Sequence, residues 1–75
     1  MIPLYVKDHI RNYLCAIGNA GASVADIYDE IVVAYYPDIV TKRQIRDYLD
    51  YETQRNLSNI FKTTGSRPVT YCFLE

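Results

Sequence analysis

The sequence predicts an α+β domain, with three helices first and one β-hairpin last. Three observations predict it. Apolar residues recur at helical spacing in three separate segments. The period then drops to two in "NIFKTT" and "VTYCFL", runs rich in β-branched and aromatic residues. Between those runs lies "GSRP", a tight-turn sequence.

The first helix carries Val6, Ile10, Tyr13, Leu14 and Ile17 on one side. Pro3 suits its first turn, where a missing N–H costs nothing. The segment "GNAGA" stops it, with Gly18 placed as a C-terminal cap. Cys15 lies off the stripe, flanked by Leu4, Asn12 and Ala16. A helix apolar on two sides is either central in the core or part of an interface, and the core reading leads because the first helix of a fold of this order is often sandwiched. The second helix begins at Ser23, which with Asp26 approximates a capping box. Its stripe is Val24, Ile27, Tyr28, Ile31 and Tyr35, and Pro37 ends it by disfavouring helical geometry at Tyr36. The third helix opens with "TKRQ", where Thr41 and Gln44 fit a capping box. Ile45, Tyr48 and Leu49 form its inward side. Glu52 falls on that same side, so the C-terminal end of the helix is expected to turn outward. In the last strand Val69, Tyr71 and Phe73 share one face, and Thr70, Cys72 and Leu74 the other.

With 75 residues the chain is expected to be one domain. Its 49% hydrophobic and 23% charged content suits a small soluble globule. No apolar run approaches a membrane span, and the N-terminus lacks the pattern of a signal peptide, so a cytoplasmic protein without membrane contact is expected. Cys15 and Cys72 are then expected to be free, buried thiols. One His and two widely spaced Cys give no metal-ligand spacing, and no cofactor fingerprint is present. The absence of a Ser–His–Asp order or a phosphate-cradling loop argues against an enzyme. His9 has no carboxylate close in sequence and reads as a surface or half-buried residue. Asp26, Asp29 and Glu30 read as a solvated acidic face.

The net charge of −1 is unevenly spread. Residues 1–40 hold two basic and five acidic side chains, a balance of −3. Residues 41–75 hold six basic and four acidic, a balance of +2. Any basic face therefore belongs to the second half.

Helix, turn, helix, then hairpin is the order of a winged-helix domain, and the chain resembles that superfamily over essentially its whole length. The residues that carry the resemblance are "ASVADIYDEI", "TKRQIRDYLDYE" and "IFKTTGSRPVTYCFLE". More narrowly, "IPLYV" and "RQIRDYLDY" are similar to segments of the carnitine-operon and virulence-locus activators, and "VTYCFLE" to the small fimbrial phase-variation regulators. The resemblance implies a three-helix winged helix-turn-helix with a C-terminal β-hairpin wing, acting as a small DNA-binding transcription regulator.

In that reading the third helix enters the major groove with its N-terminal residues nearest the base edges. Arg43 or Arg46 would read guanine, and Gln44 or Gln54 adenine. Thr41, Lys42 and the helix N-terminus would meet a phosphate. Lys62, Ser66 and Arg67 would touch the backbone or minor groove from the wing. A domain this small would gain affinity as a homodimer or on a larger partner. A second reading stands beside the first: a winged-helix protein-interaction module that does not bind DNA alone. Arg43 with Asp47 and Arg46 with Asp50 then form solvated i,i+4 pairs. Tyr5, Tyr35, Tyr36 and Tyr51 would anchor a host protein.

Overall fold

The computed structural model describes residues 2–55, 59–63 and 69–74. In chain order these form α1 (Leu4–Ile17), a 3-10 turn (Gly18–Ala20), β1 (Ala22–Ser23), α2 (Val24–Ala34), α3 (Lys42–Thr53), β2 (Ile60–Lys62) and β3 (Thr70–Phe73). The turn expected at Gly65, Ser66, Arg67 and Pro68 lies outside the described residues.

Each helix forms where an apolar stripe and a stop signal coincide. In α1, Val6, Ile10 and Leu14 are fully buried. Gly18 ends it at φ 60°, donating its N–H to the Leu14 carbonyl. Both later helices begin with a complete capping box. Ser23 Oγ accepts from the Asp26 N–H, and Asp26 accepts from the Ser23 N–H, each at 3.2 Å. Thr41 Oγ1 accepts from the Gln44 N–H at 3.1 Å, while Gln44 Oε1 accepts from the Thr41 N–H at 2.8 Å. Two orphan donors are satisfied at each helix start.

The strands form one antiparallel sheet in the order β1-β3-β2. Ala22 faces Tyr71 across one ladder, and Lys62 faces Tyr71 across the other. Hydrogen bonds between Thr63 and Thr70 carry the hairpin one step further toward its tip. The sheet closes the core from below α1: Tyr71 and Ile60 are buried with Ile27, Ile31, Ile45 and Leu49. Val69 and Phe73 pack against this core on the same strand face as Tyr71, as the period of two requires.

Four expectations need correction. The "GNAGA" segment does more than stop α1, because Ala22 and Ser23 add a third strand. Gly21, at φ 76°, makes the approach possible, since a Cβ there would lie 3.3 Å from the Tyr71 carbonyl oxygen. Second, α1 is buried on one side only: Leu4 is 72% exposed, and Cys15 and Ala16 are also exposed. Third, neither thiol is buried; Cys15 is exposed and Cys72 half-buried, and both are free. Fourth, the end of α3 does not turn outward. Glu52 is only 4% exposed, because Arg11 (3.5 Å) and Arg55 (3.1 Å) bring it the opposite charge that burial demands.

Candidate functional site

The residues predicted to meet DNA fall on α3, its N-terminal approach and β2. Arg43 is open to solvent, its side chain 82% exposed and 3.8 Å from Asp47. Arg46 lies 3.9 Å from the same carboxylate. Asp47 thus sits between the two arginines and offsets part of their charge. The structure pairs Arg46 with Asp47 rather than with Asp50, the partner that i,i+4 spacing suggests. Lys42 rides over the Tyr28 ring, 5.4 Å from its centre, at the start of the helix. Thr41 and Gln44 are occupied with each other in the capping box, which leaves the Gln44 amide nitrogen but not its oxygen outside that exchange. Gln54 is the C-terminal cap of α3, at the far end of the helix from Thr41. Ser66 and Arg67 lie outside the described residues.

Two of these side chains are brought together from different elements. Arg46 and Lys62 both line a shallow concavity of about 330 Å³ whose walls are Ser23, Val24, Val69 and Tyr71. The hairpin therefore stands directly beside α3. Besides the buried packing of Ile60 and Tyr71, it is tied there by Asp50, a residue read from sequence as a solvated partner of Arg46. Its Oδ1 accepts from the Tyr71 hydroxyl at 2.6 Å and from Lys62 Nζ at 3.2 Å. One carboxylate oxygen thus ties both hairpin strands to the helix. Lys62 also lies over the Tyr71 ring at 6.0 Å.

These contacts shift the groups involved. Burial alone raises the Asp50 carboxyl, but the Tyr71 and Lys62 hydrogen bonds and the Lys62 charge outweigh it, so its pKa falls below the ordinary 3.8. Burial, then the bond to Asp50, pushes the Tyr71 hydroxyl well above its ordinary value. Burial and the nearby Glu52 charge push Tyr48 up to about 12.

Two further constellations escaped sequence reasoning. His9 bridges α1 and α2: Nε2 is 2.9 Å from Glu30 Oε2, and Nδ1 is 3.0 Å from the Tyr35 hydroxyl. Its carboxylate partner lies 21 residues away, so local sequence held no trace of it. A groove of about 500 Å³ runs between α1 and α3, with Leu4, Arg11, Tyr51, Glu52 and Arg55 along it. Of the four surface tyrosines, Tyr5 and Tyr35 meet edge to face at 5.4 Å, whereas Tyr51 lies at that groove. Among the described residues no cluster of His, Cys, Asp and Glu is arranged to hold a metal, and no helix is long and apolar enough to cross a membrane.

No protein-family model matches the chain, and neither do any curated protein or solved structure.

Proposed function

We propose that the chain is a winged-helix DNA-binding regulator without enzymatic activity, with α3 as the reading helix and the β2–β3 hairpin as the wing. The observation that carries this is the placing of Arg46 on α3 and Lys62 on the hairpin around one concavity. A reading helix and a wing have to present charge to one duplex together. Arg43, the most exposed of the α3 arginines, is the side chain best suited to a guanine edge. Lys62 supports the wing through Asp50, and Arg67 supplies its phosphate contact. The test is a titration with duplex DNA over a range of salt. Affinity should fall steeply with salt through counterion release. Arg43→Ala should relax base preference, and Arg67→Ala should weaken binding to all sequences alike. Absence of duplex binding at low salt would overturn the proposal.

A second reading, a protein-interaction module, draws on one observation. Asp47 lies between Arg43 and Arg46 and breaks the positive stripe along α3. Capture of a specific partner from nuclease-treated lysate, with no duplex binding, would favour it.

A further inference from the structure

The outward side of α1 is poor in charge. Its exposed residues are Leu4, Tyr5, Asp8, Asn12, Cys15 and Ala16, opposite the buried Val6–Ile10–Leu14 stripe. Only Asp8 among them is charged. It forms no ion pair among the described residues. Depletion of charge around apolar and aromatic side chains marks the centre of protein interfaces.

The spacing along this side adds a register. Leu4, Asp8, Arg11 and Cys15 follow one another at intervals of four, three and four, so they form one row along the helix. The row reads apolar, acidic, basic, apolar. Turned end for end by a two-fold axis, it is its own complement. Leu4 then faces Cys15, and Asp8 faces Arg11, twice over. Few partners match a row of this kind as well as a second copy of it, since an isologous contact requires self-complementarity.

We propose that this face of α1 is covered by α1 of a second copy of the chain, packed antiparallel, with Asp8 of each copy on the partner's Arg11. Arg11 remains against Glu52 and Tyr48 in this arrangement, its guanidinium carrying five donors on a rigid fork. The contact borders the α1–α3 groove, which Leu4, Asp8 and Arg11 line, but it uses none of the α3 or hairpin residues assigned to DNA and does not rest on DNA binding.

The first measurement is the sedimentation of the full chain without DNA. A concentration-dependent dimer is expected. Asp8→Arg sets like charges against the partner's Arg11 at two places and should weaken self-association more than about tenfold. Asp8→Asn, which keeps the size and backbone preference, should weaken it less. The second measurement is a cross-link. Leu4→Cys stands eleven residues from Cys15 on one helix, about 16 Å along the axis by helix rise. That is far beyond the roughly 7 Å limit of a disulfide, so a bridge between position 4 and Cys15 must join two chains. Mild oxidation should yield it, whereas Val33→Cys, on α2 and more exposed than Leu4, should not pair with Cys15. A chain that stays monomeric at every concentration, a dimer indifferent to Asp8→Arg, or equal cross-linking from Val33→Cys would each overturn the proposal.

Discussion

At the scale of single residues, the carboxylates of α3 depart most from what their positions suggest. Helical spacing puts Glu52 on the inward side, and it stays there because two arginines follow it in. One of them, Arg55, was within reach of a sequence argument at i,i+3. The other, Arg11, comes from a helix 41 residues earlier and was not. Asp50 was hidden for the same reason: both its donors lie on strands 12 and 21 residues further on. Its position yields a pH prediction. The Asp50 pKa is lower in the folded chain than the ordinary 3.8, so its contribution to stability is present above that value. The contribution is lost as pH falls through the lower, folded value. Tyr71 is raised, so its contribution is intact below about pH 10 and is lost as pH rises beyond it. Tyr71→Phe should lower stability at neutral pH by about 1.5–3 kcal/mol, the range for a hydrogen bond to a charged group. Chemical denaturation across pH should show that loss shrinking at both extremes.

At the scale of elements, legibility followed length and local chemistry. The three helices announced themselves through stripes of three to five apolar residues, and both capping boxes stood in plain sequence. The hairpin was legible from its period of two. The short strand β1 was not, since two residues carry no period and no propensity argument. Its only advance sign was a second glycine after the one that ends α1. Gly18 and Gly21 both have positive φ, but they differ in surroundings. Nothing lies within 4 Å of a Cβ at Gly18, while at Gly21 the backbone oxygen of Tyr71 is 3.3 Å away. Ala at either position carries the cost of a left-handed conformation. Gly21→Ala should cost more than about 1 kcal/mol and exceed Gly18→Ala, because it also pushes β1 off β3. Paired thermal melts of the two variants measure the difference.

At the scale of the whole molecule, the uneven charge of the two halves persists in three dimensions. Lys42, Arg43, Arg46 and Lys62 gather about α3 and the hairpin, while Asp26, Asp29 and Glu30 lie on α2. The basic candidates were nameable from sequence. Which of them share a surface was not, because that depends on how the hairpin docks, through buried Ile60 and Tyr71 and through the Asp50 bonds to Tyr71 and Lys62. The sheet order also has a consequence for how the chain is made. β3 lies between β1 and β2, and each of those pairs with β3 alone. As a growing polypeptide leaves the ribosome, two strands emerge with no partner and wait for the third. Nested nascent chains stalled at increasing lengths should therefore remain protease-sensitive until Phe73 has cleared the exit tunnel. They should then become resistant in one step. The helices, although synthesised first, gain their floor only with that last strand.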